Sequence, residues 1–276
     1  MATLVAAAIG LLVGPWLRLA IDQVPPRRPL LRRRGPDDGP AVAPRSLVPV
    51  LSWWLAGSPG TVAPVGSPDE APDGGRETVV RRWRAPAVDL ATAVVLGALG
   101  YHVDWSADLP AALVFGAAIV VVAVIDIDHY RIPDRVVFPT LAASIVLLAG
   151  AAAAEDVPRA LVGALSGAVA YFVFLLAFFL VSPSGMGFGD VKLALLLGLH
   201  LGWMGSIART AGGVEHTSTV EALQLVLVGG LFGSVIGSVV GLGALALRGR
   251  RAHFPFGPSL CLGALVAVLA SEQFPL

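Results

Sequence analysis

Long apolar runs alternate with short polar segments along most of the chain. A helix needs about 20 apolar residues to cross a hydrocarbon core of about 30 Å. Eight stretches come close to that length or exceed it, and we interpret the first as a retained helix because it has no basic start and no small-residue cleavage site. The pattern predicts an all-α polytopic membrane protein whose spans cover 3–23, 86–103, 108–127, 135–155, 158–181, 190–207, 220–246 and 255–272.

This pattern divides the chain into three parts. Residues 1–23 form the first helix, 24–85 a long polar loop, and 86–276 a seven-helix core. The loop is dense in Pro, Gly and charge, so we expect much of it to be irregular or disordered. Its apolar stretch LVPVLSWWLAG at 47–57 is too short to span a bilayer. It is expected to dock on the membrane surface or the bundle.

Composition agrees with a membrane protein and excludes several other classes. Of the 276 residues, 56% are hydrophobic and 14% are charged, which is not typical of a soluble domain. The formal net charge of zero gives no electrostatic case for nucleic-acid binding. A single cysteine, Cys261, excludes disulfides and cysteine-based zinc sites within one chain. No metal site is predicted, since the histidines at 129, 200, 216 and 253 are scattered.

The distribution of basic residues predicts an orientation in the membrane. Sixteen of the 19 Lys and Arg residues lie in one set of alternate loops, the set that includes 24–85. Short loops rich in Lys and Arg stay in the cytoplasm. Both termini are therefore expected to face outward, and the long loop the cytoplasm.

Two acidic residues are predicted to lie at the same membrane depth. Asp126 ends the apolar run of the third span, and Asp190 begins the sixth. Because the third span runs inward and the sixth runs outward, both carboxylates are expected near the cytoplasmic boundary. Asp128 lies about 200° around the helix from Asp126, so we expect Asp126 to face the bundle interior and Asp128 to lie nearer the interface.

A glycine track precedes the second of these acids. Gly185, Gly187 and Gly189 alternate with other residues and end at Asp190. Glycines let an extended backbone approach a substrate strand closely and offer it N–H and C=O groups. Two nearby carboxylates can share one proton, which suits acid and base catalysis of peptide hydrolysis. The sequence thus indicates an aspartic protease site beside a substrate cradle.

Each of these residues also has a structural explanation. Asp190 has the sequence position of a helix N-cap, and we expect Asp134 to be an N-cap for the fourth span. Asp126 could be a boundary acid that snorkels to the interface. Lys192 could pair with a site acid or anchor the helix at the cytoplasmic side.

The sequence also resembles a known family. DIDHYRIPD at 126–134 and GMGFGDVKL at 185–193 are similar to the signature pair of the type IV prepilin peptidases, membrane aspartic proteases of the GxGD kind. Further similarity covers 10–25, 47–57 and 254–264, in order. The match covers most of the chain, and the combination is far more specific than any single piece.

The resemblance implies a bacterial inner-membrane endopeptidase with eight helices. Such enzymes remove the basic leader from prepilins or pseudopilins at the cytoplasmic face, and the resemblance places the catalytic acids at Asp126 and Asp190. The candidate substrate-binding residues are Gly185, Gly187, Gly189, Lys192 and Asp128. The expected partners are prepilin or pseudopilin substrates and the lipid bilayer.

One departure from the family pattern concerns the long loop. Many relatives carry paired CxxC motifs there, whereas 24–85 contains no cysteine. A zinc-stabilised loop is therefore excluded. Many family members also N-methylate the new N-terminus with S-adenosylmethionine, an activity commonly linked to this region. The altered loop leaves open whether methylation, and with it this cofactor, is retained, while proteolysis itself requires no cofactor.

Two other classes of function compete with the peptidase. An ion- or proton-coupled transporter could use Asp126 and Asp190 to bind a cation or proton. Carriers usually have two repeated halves and a site near the midplane, whereas these acids are predicted at one boundary. A membrane scaffold, whose acids only cap helices, would leave the glycine track and the shared depth unexplained.

Overall fold

The computed structural model of the chain describes residues 1–23, 74–182, 186–210, 213–248 and 255–271. The described residues form eight α-helices and one short β-hairpin. In chain order these are α1 Ala2–Gln23, α2 Gly74–Val103, α3 Leu109–His129, α4 Asp134–Ala154, α5 Pro158–Val181, α6 Phe188–Ser206, β1 Ile207–Thr210, β2 Gly213–Thr217, α7 Thr219–Arg248 and α8 Gly257–Ala270.

The helices confirm the prediction of an all-α polytopic membrane protein. Among the described residues, five segments are both long and apolar enough to cross a membrane, while α8 and the segment Ala2–Arg18 of α1 are shorter apolar helices. The five segments are Pro86–Val103, Leu109–His129, Asp134–Ala154, Pro158–Val181 and Thr219–Gly243.

Proline and backbone geometry mark several helix boundaries. Pro158 opens α5, and Pro110 and Pro258 occupy the second positions of α3 and α8, where a missing N–H costs no intrahelical bond. At the other end of α3, Tyr130 adopts the left-handed conformation with φ 51°, and its N–H donates to the carbonyl of Asp126. This turn directs the chain from α3 into α4.

The core of the bundle depends on close contacts between helix backbones. A Cβ atom added to Gly167 of α5 would lie 2.5 Å from the carbonyl oxygen of Gly198 on α6, and one added to Gly202 would lie 2.4 Å from that of Gly163. Only glycine fits at such distances. These contacts hold α5 and α6 antiparallel in a fixed register.

Two local features differ from the sequence-based expectation. Helix α2 begins at Gly74, twelve residues before its apolar span begins. The polar and charged residues of this first part also form helical backbone. The antiparallel hairpin of β1 and β2, between α6 and α7, was also not predicted. Its strands of four and five residues are too short to leave a clear alternating pattern.

Candidate active site

One large cavity lies where the ends of four helices meet. It is formed by the C-terminal end of α3, the turn into α4, and the N-terminal ends of α4, α6 and α8. Its volume is about 740 Å³. The lining residues are Ile125, Asp126, His129, Tyr130, Arg131, Ile132, Pro133, Asp134, Arg135, Met186, Gly187, Gly189, Asp190, Lys192, Pro255 and Phe256.

Asp126 projects into this cavity from the last turn of α3. The residue is 5% exposed, and its Oδ2 accepts a hydrogen bond of 3.1 Å from the backbone N–H of Gly257. Gly257 begins α8, so the carboxylate faces the positive end of that helix dipole. The N-terminus of α8 thus compensates the cost of placing an acid at the unfavourable end of α3.

Asp190 enters the same cavity from the first turn of α6. Its helix has Gly187 as N-cap, and the backbone N–H of Asp190 donates to the carbonyl of Gly187 at 3.1 Å. The residue is 6% exposed, and its buried Oδ1 has no hydrogen-bond partner among the described residues. Asp190 is therefore the third residue of the helix and not its N-cap, although it does interact with the helix terminus.

Glycines allow neighbouring segments to pack closely around the two acids. A Cβ atom on Gly257 would lie 2.7 Å from Oδ2 of Asp126, and one on Gly189 would lie 3.0 Å from Cβ of Ile132. The Ile132 side chain also reaches within 3.1 Å of the position a Gly257 Cβ would take. Ile132 thus packs between the start of α6, which carries Asp190, and the start of α8, which contacts Asp126.

The glycine track is only partly included in the described residues. Gly187 and Gly189 line the cavity, whereas Gly185 lies outside the described ranges. Gly187 has more room than Gly189, since an added Cβ would lie 3.4 Å from Oδ2 of Asp190. At least two of the three glycines therefore present backbone to the cavity.

The other predicted site residues take different positions. Lys192 lines the cavity and forms an ion pair with Asp134, while its Nζ lies 5.5 Å from the centre of the Phe188 ring. Asp128 is exposed and is not among the residues that line the cavity. The structure thus separates Asp128 from Asp126, as the helical geometry predicted.

One prediction about these residues was wrong. Asp134 was expected to be the N-cap of the fourth span, but the N-cap of α4 is Pro133, and Asp134 is the first residue in the helix. Its carboxylate pairs with Lys192 across the cavity wall instead. The sequence position suggested a local cap, and it could not show that the Asp134 carboxylate would instead contact a residue of another helix.

No described residues suggest a metal centre. Among them, no group of three or more His, Cys, Asp or Glu side chains is arranged to hold an ion. His200 is fully buried away from the acids, where it hydrogen-bonds with Ser144 at 2.9 Å and stacks on Phe115.

The segment 47–57, which was expected to dock on the membrane surface or the bundle, lies outside the described residues.

Sequence reasoning did not single out Ile132 and Gly257. Both residues lie in stretches that the sequence motifs include, Ile132 between Asp126 and Asp134 and Gly257 just before the last apolar run. Neither carries a side chain that signals chemistry. Their importance depends on contacts between segments more than 50 residues apart in sequence.

Comparison with known proteins identifies the family. The model of the type IV leader peptidase family matches residues 113–246, which include both acids. A prepilin leader peptidase/N-methyltransferase from Aeromonas hydrophila is 30% identical over 82% of this chain and 67% of its own length. The chain belongs to the type IV leader peptidase family. This result confirms the resemblance seen in the sequence.

Further members of the leader peptidase family show similar agreement. Proteins of the same name are 32% identical in Stutzerimonas stutzeri and 31% identical in Bacillus subtilis. These matches cover 69% and 68% of this chain, and 60% and 66% of the relatives. This chain thus spans about three-fifths to two-thirds of the relatives' lengths. No solved structure matches it, and these relatives give no support to the transporter alternative.

Proposed function

We propose that this member of the leader peptidase family is an aspartic endopeptidase that removes the basic leader from prepilins or pseudopilins. The observation that carries the proposal is the meeting of Asp126 and Asp190, from two different helices, in one cavity of about 740 Å³. Family membership supports the substrate class, because the relatives are named prepilin leader peptidases.

The proposed chemistry uses the two carboxyl groups as a pair. Two acids that share one low-dielectric cavity favour a state with one proton between them. The ionised acid takes a proton from water as the water oxygen attacks the peptide carbonyl, and the protonated acid donates its proton to the developing oxyanion. When the tetrahedral intermediate collapses, the C–N bond breaks and the leaving amine takes up a proton.

Each acid has a distinct environment for this task. Asp126 accepts the N–H of Gly257, which favours its ionised form. Oδ1 of Asp190 receives no such hydrogen bond from the described residues. We therefore assign the general base to Asp126 and the general acid to Asp190 in the first step.

Backbone groups of the glycine track are proposed to bind the substrate. Gly187 has extended backbone angles of φ −76° and ψ 142°, which suit pairing with an extended peptide. Lys192 lies on the same cavity wall and is proposed to contact the substrate too. Gly185 belongs to this proposal on its sequence position, and Asp128, being exposed, is proposed to contact the leader outside the cavity.

Methylation of the new N-terminus is a second candidate activity. The relatives are named N-methyltransferases as well as peptidases. S-adenosylmethionine would supply the methyl group in that reaction. We assign no residue of this chain to the cofactor, because the loop region linked to this activity lies largely outside the described residues.

The proposed reactions can be tested by mass. A prepilin from the same genome is co-expressed with the wild-type chain or with Asp126→Asn, and the intact mass of the prepilin is measured. We expect the leader to be lost only with the wild-type chain, and a methylated product would gain about one methyl mass. An uncut prepilin in every strain, with both proteins inserted in the membrane, would overturn the peptidase proposal.

The orientation in the inner membrane is also part of the proposal. The concentration of Lys and Arg in one set of alternate loops supports an orientation with the cavity at the cytoplasmic face and both termini outside. Because Cys261 is the sole cysteine, Cys261→Ala gives a background for single-cysteine labelling. We expect a membrane-impermeant thiol reagent added to intact cells to label Asp156→Cys, in the turn after α4, and not His129→Cys beside the cavity. The reverse pattern would contradict the orientation.

A further inference from the structure

Tyr130, directly after α3, has a backbone conformation that is rare for an aromatic residue. Its φ of 51° and ψ of 42° lie in the left-handed region. Glycine, and sometimes asparagine, is the usual residue where a helix ends in this conformation, because a bulky side chain is strained there. The Tyr130 N–H donates to the carbonyl of Asp126 at 2.8 Å, and a glycine could make the same bond. The end of α3 thus explains the backbone conformation but not the tyrosine side chain.

The strain at Tyr130 coincides with the large cavity. Among the described residues, two others that are not glycine have a positive φ, Asp104 at 52° and Asp156 at 54°. Aspartate tolerates the left-handed region better than tyrosine does, and neither aspartate lines the cavity. Tyr130 does line it, together with Asp126. Strained residues are concentrated at functional sites, so the side chain of Tyr130 is a candidate for a direct role.

The turn that carries Tyr130 lies at the water-facing rim of the cavity. Tyr130 is 54% exposed, and residues 127–131 are all exposed. The turn includes Asp128, His129 and Arg131, which would be costly in the hydrocarbon core. The ring of Tyr130 is therefore available to a substrate segment that enters the cavity from the aqueous side.

The leader of the proposed substrate is the segment that suits this rim. Because the leader is basic, it stays on the aqueous side while the scissile bond reaches Asp126 and Asp190. Lys and Arg side chains are attracted to an aromatic face within about 6 Å of its centre. Asp128 and Arg131, on either side of Tyr130, have opposite charges. The turn therefore has no net charge that would repel a basic leader.

We propose that Tyr130 is a substrate-binding residue, whose ring contacts a lysine or arginine of the leader at the rim of the cavity. The strained conformation is retained because it presents an aromatic ring about one turn from Asp126. This assignment rests on the proposed peptidase function, and it adds a specificity-determining contact on the leader side of the scissile bond.

Kinetics of two substitutions test this role. Tyr130→Phe keeps the ring and should cleave a prepilin with the wild-type kcat and KM. Tyr130→Gly removes the ring but keeps the backbone bond to Asp126, so we expect KM to rise about threefold to fivefold with kcat unchanged. Its apparent Tm should be no lower than that of the wild type, because relief of strain offsets the greater freedom of glycine in the unfolded chain.

A tyrosine at the membrane interface could also serve only to anchor α3. In that case Tyr130→Gly would lower Tm and leave KM unchanged, which would overturn the proposal. Asp156→Gly is the matched control, since it places glycine at another left-handed position, in the turn after α4 and away from the cavity. It should keep the wild-type KM. An equal rise in KM for Asp156→Gly would also overturn a specific role for Tyr130.

A binding measurement tests the contact independently of cleavage. A fluorescent peptide with the leader sequence of a prepilin is titrated into purified Asp190→Asn protein, with and without Tyr130→Gly. In a second peptide, the basic residue nearest the cleavage site is replaced by glutamine. We expect Tyr130→Gly to weaken binding of the first peptide about threefold to fivefold and to affect the second much less.

The two peptides separate the possible failures. Equal weakening for both peptides, or for neither, would overturn the contact between Tyr130 and a basic side chain. Failure of the wild-type chain to cleave prepilin would instead overturn the proposed peptidase function, while the binding result would still decide the contact.

Discussion

At the scale of single residues, burial distinguishes the acids of the cavity from their neighbours. Asp126 and Asp190 are 5% and 6% exposed, whereas Asp128 is exposed and the Asp134 side chain is 55% exposed. A buried carboxylate at a membrane boundary is costly unless it has a function or a partner. The helical offset of 200° predicted that only one of Asp126 and Asp128 could turn inward, and we expected that one to be Asp126, which directly follows the apolar run.

Sequence could not predict the partners of these acids. The hydrogen bond from Gly257 to Asp126 joins residues 131 positions apart, and the pair of Lys192 and Asp134 joins residues 58 apart. A local pattern records helix caps and periodicity, but not which distant segments meet. The predicted cap at Asp134 was wrong for this reason.

The ion pair of Lys192 and Asp134 should have only a small effect on the enzyme. Partly exposed ion pairs contribute about 0–1 kcal/mol. We expect Asp134→Asn to lower the rate of leader cleavage less than tenfold, with a loss of a few degrees or less in Tm. Lys192→Gln serves as the partner variant in thermal unfolding, and the double variant should lose less than the sum. Loss of cleavage as complete as in Asp126→Asn would give Asp134 a catalytic role.

At the scale of helices, the cavity is built from helix ends. Acids and glycines lie at the end of α3 and at the starts of α6 and α8, where backbone N–H groups and helix dipoles are available. The alternation of the predicted spans had predicted that the ends of α3 and α6 lie at the same membrane face and at similar depth. It did not identify α8 as a contributor, because Gly257 has no side chain to suggest a role.

Substitution of Gly257 tests the contribution of α8. An added Cβ would lie 2.7 Å from Oδ2 of Asp126, so alanine must displace the carboxylate or the helix start. We expect Gly257→Ala to lower kcat at least tenfold. Gly150→Ala is the control, since nothing lies within 4 Å of its added Cβ. It should leave cleavage unchanged.

A contrary result would be equally informative. If Gly257→Ala cleaves prepilin at the wild-type rate, the N–H of Gly257 does not position Asp126 for catalysis. If Gly150→Ala is impaired to the same extent, the loss reflects a general sensitivity of the bundle to added methyl groups. Tm values of both variants separate these outcomes from unfolding.

At the scale of the whole molecule, hydrophobic periodicity predicted the helices well. All eight predicted spans correspond to helices, with the α5 boundaries identical and most others shifted by one or two residues. Long apolar runs leave few alternatives, because every backbone polar group in lipid must be paired within the chain. The start of α2 and the β-hairpin were missed because polar residues carry a weaker signal.

The central claim is that Asp126 and Asp190 act together on one peptide bond. It is tested most directly by leader cleavage with four purified variants, Asp126→Asn, Asp190→Asn, Asp128→Asn and Asp134→Asn, each shown to fold by its Tm. We predict no detectable product from the first two variants. The other two should remain active within tenfold of wild type, because their side chains lie outside the carboxylate pair. Cleavage that survives the loss of Asp126 or Asp190 would contradict the account.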